Sequence, residues 1–430
     1  MCLRTFPGSI SRNAALMRAA LCNSNPCHSQ RDAACFLMLK SSPLTLAVSE
    51  KTIQISPIHP EQPRFFLLAP DIFSSQGGIQ VYTRFLLKAL QKLYPQASYE
   101  VFLKYDCPEA MPRDPRPTQF HGFGQWPRWF QSILLMQQTI LRGIQKKPAL
   151  AIATHLNYAV ACDWLKRLAG IPYWVVVHGW EGWDLRHPLR QAALRRADRV
   201  VAVSQYTRDR LLKEQPLAPS QVSLLPNTFL ASKFRPGPKP AYLLERYGLT
   251  ADDPVIFTLG RLVRYKGYEQ ILHALMEIRR HLPAVRYVLA GTGNLPEIRA
   301  LAVELGVDDA IALPGFIDDN ELCDHYNLCD VFAMPSQGEG FGIVYLEALA
   351  CGKPVLAGNR DGAIDPLLGG KLGCLVDPED VTTIAQTLIQ ILQRTYPNPI
   401  LFDAAALRQQ TIERFEFKQF ERTLKTLLSD

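Results

Sequence analysis

The sequence lacks long apolar runs and paired cysteine motifs. No uninterrupted apolar stretch among its 430 residues reaches the roughly 18 residues that a membrane-spanning helix needs. Its ten cysteines form no Cys-x-x-Cys pair, and a chain of this length needs no disulfide framework. We therefore expect reduced thiols, no cysteine metal site and a cytoplasmic protein. With 47% hydrophobic and 20% charged residues the chain is globular in composition, and its length predicts two domains.

Acidic residues are scarce in the first half of the chain. Residues 1–250 hold 31 Lys and Arg against 15 Asp and Glu, a net charge of +16. Residues 251–430 hold 16 against 25, a net charge of −9. A basic half is typical of contact with nucleic acid, an anionic membrane or an anionic substrate. Because the basic residues are dispersed and form no recognised nucleic-acid-binding motif, we expect no nucleic-acid partner and expect the first half to contact an anionic membrane surface, while the second half has another task.

The N-terminal segment differs in composition from the rest. Residues 1–62 are rich in Ser, Cys and Asn, and Asp32 is their only acid before Glu50. We expect a poorly ordered leader, or a start assigned too early with Met38 as the true first residue. An organelle transit peptide is the alternative that fits the composition.

From Arg64 onward, short apolar runs alternate with longer amphipathic segments, a pattern typical of parallel βαβ units. The predicted strands are 64–70, 99–105, 149–155, 173–178, 199–204 and 222–226, then 254–260, 285–291, 310–315, 330–336, 354–358 and 373–377. The Pro-, Gly- and Lys-rich stretch 232–240 between the two series predicts a linker. The fold class is thus α/β with two Rossmann-like doubly wound domains, 63–235 and 236–403. A C-terminal helical segment, 404–430, is predicted to pack back on the first domain.

A pair of glutamates flanks a glycine turn where strand 330–336 leads into a helix predicted to begin at Gly342. Glu339 and Glu347 stand on either side of Gly340-Phe341-Gly342. The first amides of such a helix, those of Ile343 and Val344, point outward and suit an anion such as a pyrophosphate. Two carboxylates beside a phosphate site suit a ligand that also carries hydroxyls. The structural alternative is that both glutamates only complement the helix dipole.

Three further groups follow predicted strands, at the edge where doubly wound sheets bind ligands. Arg261 and Lys266 follow strand 254–260 and could neutralise a diphosphate without a metal, although such cations also occur in ordinary surface loops. Gly77-Gly78 precedes a helix and could approach a phosphate. His178 ends strand 173–178 and could orient a sugar hydroxyl or simply be satisfied locally; His155 is a weaker second candidate.

In order and spacing these motifs resemble those of retaining glycosyltransferases of family 4, which have the GT-B fold. The resemblance covers residues 64–428 and is strongest over 260–378. It implies that Arg261 and Lys266 hold the donor diphosphate and that His178 lies beside the donor sugar. The same resemblance assigns the remaining roles as follows: ribose hydroxyls to Glu347, the transferred sugar to Glu339, the phosphate to the amides of Gly342, Ile343 and Val344, and the base to Phe316 and Ile317.

The implied activity is retaining, metal-independent transfer of a hexose from a UDP- or GDP-linked donor to a saccharide or lipid-linked acceptor. Such an enzyme would serve cell-surface polysaccharide or glycolipid synthesis, and it would need no cofactor. No DxD-type pair ends an early strand, and the two cations would replace a metal. Where the family commonly follows Pro-Asn with Gly-Val-Asp, this chain has Thr228-Phe229-Leu230. A GT-B epimerase, a phosphorylase, or a non-catalytic nucleotide-sugar or nucleic-acid binding protein are the alternatives.

The segment 120–147 is aromatic, amphipathic and basic at its end. It predicts either an interfacial helix on the inner face of an anionic membrane or, as the alternative, a core helix with one solvated face.

Overall fold

Two parallel β-sheets, each flanked by helices, dominate the computed structural model, which describes residues 62–111 and 117–430. The predicted leader, 1–62, lies outside the described residues apart from its last residue. The seven strands of the first sheet are β1 (Arg64–Ala69), β2 (Ser98–Leu103), β3 (Thr118–Gly122), β4 (Leu150–Ala153), β5 (Tyr173–Val177), β6 (Arg199–Ala202) and β7 (Val222–Leu224). They are ordered 3-2-1-4-5-6-7. The helices between them are α1 (Gly78–Leu93), α2 (Arg128–Lys146), α3 (Ala159–Ala169), α4 (Pro188–Arg196) and α5 (Gln205–Glu214).

The second sheet repeats the arrangement with six strands. They are β8 (Val255–Leu259), β9 (Arg286–Ala290), β10 (Ile311–Gly315), β11 (Val331–Met334), β12 (Val355–Gly358) and β13 (Cys374–Val376), ordered 10-9-8-11-12-13. Its helices are α6 (Ala241–Tyr247), α7 (Tyr268–His281), α8 (Leu295–Glu304), α9 (Leu322–Leu328), α10 (Ile343–Ala350) and α11 (Val381–Leu392). Two helices end the chain, α12 (Ala404–Phe415) and α13 (Phe417–Ser429). In each sheet the strand order reverses beside the first strand, between β1 and β4 in the first sheet and between β8 and β11 in the second. In doubly wound folds ligands bind at such a reversal.

The hydrophobic core runs without a break from one sheet to the other. In β1, Phe66 and Leu68 face the helices α2 to α4, while Phe65 and Leu67 belong to a larger cluster that includes the second sheet. This follows from the alternation of side chains along a strand, which buries β1 on both faces. Both sheets therefore lie in one compact unit.

The sequence prediction missed one strand and misplaced the start of α2. The segment expected to be amphipathic over 120–147 begins as strand β3, and the helix starts only at Arg128, after Pro127. β3 carries a single large apolar residue, Phe120, because it is an edge strand whose faces stay partly exposed. A short polar edge strand gives no apolar run for a sequence pattern to detect.

The predicted C-terminal segment is two helices rather than one. The chain is extended at Glu416, where Phe417 N donates to the carbonyl oxygen of Phe229 over 3.2 Å. Thr228 Oγ1 also donates to the carbonyl oxygen of Phe415 over 2.8 Å. The Thr228-Phe229 segment, where this chain departs from the common family motif, thus pairs with the C-terminal crossover.

The last helix returns to the first sheet. Phe417 of α13 packs on Phe85 of α1 with ring centroids 5.5 Å apart, and Lys92 Nζ lies 2.7 Å from a carboxylate oxygen of Glu421. Phe420 meets the buried ring of Tyr82 edge-on at 5.6 Å. This contact is relevant to function because Tyr82 in turn touches His178.

Candidate functional site

The loop between β11 and α10 meets the loop after β5 with no room for a side chain between them. A Cβ atom added to Gly340 would lie 1.5 Å from the carbonyl oxygen of His178, so only glycine fits at this position. Trp180 Nε1 donates to the carbonyl oxygen of Gly338 over 2.7 Å. Gly342, with φ of +89°, then sets the start of α10. Motifs 160 residues apart in the chain are thereby brought into contact.

Lys266 and Glu339 form an ion pair at this junction. Their side chains are only 14% and 13% exposed, so the pair lies in a poorly solvated site. Burial and the neighbouring Arg261 lower the pKa of Lys266 to about 8, while Asp361 opposes that shift. The amine is therefore still mainly protonated at neutral pH. Arg261 itself is exposed, with its guanidinium 3.4 Å from the hydroxyl of Tyr265.

Asp361 is a site residue that sequence reasoning missed. Its buried carboxylate accepts from the backbone amide of Glu339 over 2.7 Å and from that of Ala363 over 2.9 Å. Burial raises its pKa to about 7. Asp361 follows β12 and thus obeys the same strand-end rule that pointed to the other residues, so the signal was present in the sequence. Its effect is to fix the loop that carries Glu339.

Glu347 lies within α10 and faces helix α9. Tyr326 of α9 donates its hydroxyl to Glu347 Oε2 over 2.7 Å. Burial raises the pKa of Glu347 to about 7, against the opposing effect of that hydrogen bond. Glu347 is the fifth of the eight residues of α10, beyond the first turn where a carboxylate gains from the helix dipole, which argues against the structural alternative for this residue.

His178 is held from three sides. Its Nε2 lies 2.8 Å from the carbonyl oxygen of Thr154, to which it donates, so Nδ1 is left as an acceptor. The ring of Tyr82 contacts it edge-on at 5.1 Å, and its backbone amide donates to Glu181. Burial lowers the pKa of His178, so the ring is neutral. His155 stacks nearby, with ring centroids 6.5 Å apart.

A cavity of about 480 Å³ opens beside the histidines at the edge of the first sheet. Asp71 lies at its wall and accepts hydrogen bonds from Ser74, Ser75 and Gln80, the last over 2.7 Å. The remaining lining residues are Pro70, Ile79, Tyr105, His155, Asn157 and Tyr158. Carboxylate, amide, hydroxyl and aromatic groups together suit a polyhydroxylated molecule such as a sugar or cyclitol. None of these lining residues except His155 was singled out from the sequence.

Gly77 and Gly78, at the start of α1, and Phe316 and Ile317, after β10, differ in how far they are exposed. Gly77 is the N-cap residue of α1, and a Cβ atom added to Gly78 would meet nothing within 4 Å, so Gly78 borders open space. Phe316 is 58% exposed and available to stack on a ligand, whereas the side chain of Ile317 is buried in the core. Only the backbone of Ile317 is left to contact a base.

Within residues 62–111 and 117–430, no group of three or more His, Cys, Asp and Glu has the arrangement of a metal site. In the same part of the chain, no helix combines the length and apolar character needed to cross a membrane.

Comparison with known proteins places these loops in a family. Residues 76–229 match the family model described as Glycosyltransferase Family 4, and residues 244–408 match that of Glycosyl transferases group 1. A GDP-mannose-dependent alpha-(1-6)-phosphatidylinositol monomannoside mannosyltransferase of Mycolicibacterium smegmatis is 37% identical over 267 residues, which are 59% of this chain and 68% of that enzyme. The chain belongs to glycosyltransferase family 4.

One further sequence relative and one solved structure match this chain over different lengths. A D-inositol 3-phosphate glycosyltransferase of Segniliparus rotundus is 34% identical over 42% of this chain, and the match spans only 41% of that enzyme. The crystal structure of Anabaena HepE in complex with UDP and glucose superposes with a TM-score of 0.70 at 20% identity, covering 86% of this chain and all of HepE. At that identity the likeness concerns the fold alone. The predictions of the family, of a glycosyltransferase and of the GT-B fold are confirmed.

Proposed function

We propose that this glycosyltransferase moves a hexose, with retention, from a nucleotide-diphosphate sugar to a hydroxyl of a saccharide, cyclitol or lipid-linked acceptor. The observation that carries the proposal is the buried Lys266–Glu339 pair, which lies where the loops of the two sheets meet. A fixed cation in a site of low solvent exposure stabilises a departing diphosphate more strongly than it would in water. GDP-mannose is the donor we favour, since the Mycolicibacterium smegmatis relative is GDP-mannose-dependent.

The roles of the donor-side residues follow from their chemistry. Lys266, with Arg261 at the rim, would bind the diphosphate, and the first amides of α10, those of Ile343 and Val344, would bind its other oxygens. Glu347 would accept from the ribose hydroxyls, and Glu339 would accept from the transferred sugar while keeping Lys266 in place. Phe316 would stack on the base.

The reaction itself would need no protein nucleophile. The acceptor oxygen would form its bond to the anomeric carbon on the face from which the diphosphate leaves, and a phosphate oxygen would take the hydroxyl proton. Lys266 would stabilise the charge on the leaving diphosphate. His178 would direct its neutral ring toward the sugar, with Nδ1 as the acceptor, and Thr154 and Tyr82 hold the ring in that position. No metal is required in this scheme.

The acceptor would occupy the cavity bordered by Asp71 and His155, because it adjoins His178 on the first-sheet side. Asp71 would accept from a ring hydroxyl in exchange for one of its present donors, Ser74, Ser75 or Gln80. This arrangement favours a neutral polyol ring at the reacting end of the acceptor.

A thermal-shift and transfer experiment tests the proposal. GDP-mannose, UDP-glucose and their free nucleoside diphosphates are added separately, and a ligand that binds the native state raises the melting temperature by an amount that grows with its concentration and affinity. Each donor is then incubated with inositol-containing and saccharide acceptors, and products are identified by mass spectrometry. We expect GDP-mannose to stabilise the protein and to be consumed. The absence of a shift with every nucleotide sugar would overturn the proposal.

We also propose that helix α2 rests on an anionic membrane surface, where a lipid-linked acceptor would be found. Its outer face exposes Trp129 at 74%, Ile133 at 48% and Leu141 at 47%, one stripe at helical spacing. Lys146 and Lys147 end the helix, and a basic apolar face of this kind is typical of interfacial helices.

Vesicle co-sedimentation tests the membrane proposal. Trp129→Gln should weaken sedimentation with vesicles of anionic phospholipid, whereas Met276→Gln, which introduces the same polar residue at an exposed apolar position on α7, should not. Equal sedimentation of both variants, or none by the unmodified protein at low salt, would contradict it.

A further inference from the structure

Two contacts join helices α9 and α10. In the first, Tyr326 donates to Glu347 over 2.7 Å. In the second, Cys323 Sγ and Cys351 Sγ lie 3.9 Å apart. Cys323 precedes Tyr326 by three residues on α9, and Cys351, the C-cap residue of α10, follows Glu347 by four, so the members of each pair lie about one helical turn apart. The sulfur contact is therefore one turn away from the contact that positions Glu347.

We propose that Cys323 and Cys351 are a redox modification site, at which a small-molecule or protein disulfide converts the two thiols into a disulfide that links α9 to α10. The sulfur atoms need to approach from 3.9 Å to about 2.05 Å. That movement is small on the scale of helix shifts, and both thiols are free in the structure. The thiol pair is a property of the chain that does not depend on its substrate.

The two sulfurs differ in accessibility in the way that exchange requires. Cys323 is half-buried, whereas Cys351 is buried. The hydrogen bond between the two sulfurs lowers the pKa of the more exposed Cys323 thiol and, together with burial, raises the pKa of Cys351. Asn327 Nδ2 donates to Cys323 Sγ over 3.6 Å, while the Cys323 thiol itself donates to the carbonyl oxygen of Arg235 over 3.6 Å. Cys323 is thus the thiolate that attacks first and Cys351 the resolving thiol.

The chemistry balances with a glutathione-type disulfide as the oxidant. The Cys323 thiolate attacks one sulfur of glutathione disulfide, forming a mixed disulfide and releasing one glutathione thiolate. Cys351 then loses its proton and attacks Cys323 Sγ, which releases the second glutathione thiolate. The two cysteines are oxidised by two electrons, and the glutathione disulfide is reduced to two thiols.

The expected consequence concerns the donor site, and this part rests on the proposed function. Drawing Cys323 toward Cys351 shifts α9 relative to α10 and alters the Tyr326–Glu347 hydrogen bond one turn away. Glu347 would then present its carboxylate less well to the ribose. We expect oxidation to weaken GDP binding by at least about fivefold, the lower end of typical couplings between sites.

Cys329 is a third thiol in the same region and provides a matched control. It is buried, and its Sγ lies 3.3 Å from the carbonyl oxygen of Tyr326. Because its access to solvent is blocked, we expect it to remain reduced when Cys323 reacts. Cys329→Ser should therefore leave the disulfide intact, whereas Cys323→Ser should abolish it.

Thiol labelling of the full chain tests the site directly. Trypsin releases residues 300–360 as one peptide, since it cleaves after Arg299 and Arg360 but not at the Lys353–Pro354 bond, and the peptide carries Cys323, Cys329 and Cys351. After equilibration with glutathione disulfide, alkylation of this peptide should fall from three sites to one, at Cys329, and dithiothreitol should restore it. Cys351→Ser should instead accumulate glutathione on Cys323. Three labelled cysteines in the oxidised protein, or protection of Cys329, would overturn the proposal.

Titration with GDP then separates the two parts of the inference. Weaker GDP binding by the oxidised protein, reversed by dithiothreitol and absent in Cys323→Ser, supports the coupling. An unchanged affinity after complete disulfide formation would contradict the coupling. Failure of the reduced protein to bind GDP or UDP at all would count against the proposed function, while the thiol count would still decide the site.

Discussion

At the edge of the second sheet Lys266 and Glu339 are poorly exposed and paired with each other, with Arg261 exposed beside them. At the edge of the first sheet the hydrogen bonds that Asp71 accepts come from the neutral donors Ser74, Ser75 and Gln80. This contrast is opposite to the net charges of the two halves of the chain. The basic half, residues 1–250, contributes the carboxylate of Asp71, and the acidic half, residues 251–430, contributes the amine of Lys266. The overall charge of a half is set by solvated surface residues, whereas the charge of a site is set by the few residues that follow its strands. The edge that we propose for the donor thus offers charged groups, and the edge that we propose for the acceptor offers hydrogen-bonding groups suited to hydroxyls.

The largest effect should come from removing the buried cation. Lys266→Ala should lower kcat by about 10³-fold, because the departing diphosphate loses its principal counter-charge. Arg264→Ala is the control, since Arg264 is a neighbouring cation whose side chain is 75% exposed and bound to Glu269 and Glu297. Steady-state rates for both variants, with melting temperatures to verify folding, test the difference. Equal rates for Lys266→Ala and Arg264→Ala would contradict the proposal that Lys266 stabilises the departing diphosphate.

Glu339→Gln should have the next largest effect, with kcat about 10²-fold lower. The amide keeps the shape of the side chain but loses the negative charge that pairs with Lys266. It is also a weaker hydrogen-bond acceptor for the hydroxyls of the sugar. GDP affinity, measured by calorimetry, should change much less than kcat, and Gln337→Ala in the same loop should change neither. A parallel loss of GDP affinity and kcat would assign Glu339 to the nucleotide rather than the sugar.

Asp71→Asn tests the acceptor side. It should raise the acceptor KM by about 30-fold, the loss expected when a charge-assisted hydrogen bond is removed, with GDP affinity unchanged. Asp209→Asn, a change of an exposed carboxylate on α5, serves as the control. If Asp71→Asn weakened GDP binding instead, the division of the cleft into a donor side and an acceptor side would be wrong.

The smallest effect is a pH dependence of nucleotide binding through Glu347. Its pKa is raised to about 7, so the carboxylate that accepts from the ribose is present above that pH and lost below it. GDP affinity should therefore fall a few-fold between pH 8 and pH 6. Glu347→Gln should bind GDP more weakly and show a shallower pH profile, while titration of Asp361 and Lys266 leaves some slope. An unchanged slope in the variant would exclude Glu347 as the titrating group.

The sequence predicted most of the fold because the other twelve strands are mainly apolar runs between amphipathic helices. It failed at β3, where an edge strand is too polar to show a pattern, and at Glu416, where a crossover interrupts a continuous amphipathic stretch. The residues proposed for the donor side could likewise be predicted from the sequence, since Lys266, Glu339 and Glu347 follow strands within recognisable motifs.

The residues proposed for the acceptor side could not be predicted from the sequence in the same way. Asp71, Ser75 and Gln80 carry no distinctive spacing, and they become a wall of one cavity only when β1 and β4 pair and bring His155 beside them. Asp361 is intermediate, because it follows a strand but belongs to no motif that was recognised. The tight fit of Gly340 against His178 depends on how the two sheets meet, which no local pattern encodes.

The anomeric configuration of the product tests the central claim most directly. Transfer from GDP-mannose to an inositol-containing acceptor is followed by NMR from the first turnover, and the coupling of the anomeric carbon and proton reports the configuration of the new bond. The account predicts an α-linked product, as in the donor, formed by the unmodified protein and by Arg264→Ala but not detectably by Lys266→Ala. A β-linked product, or undiminished α-transfer by Lys266→Ala, would contradict it.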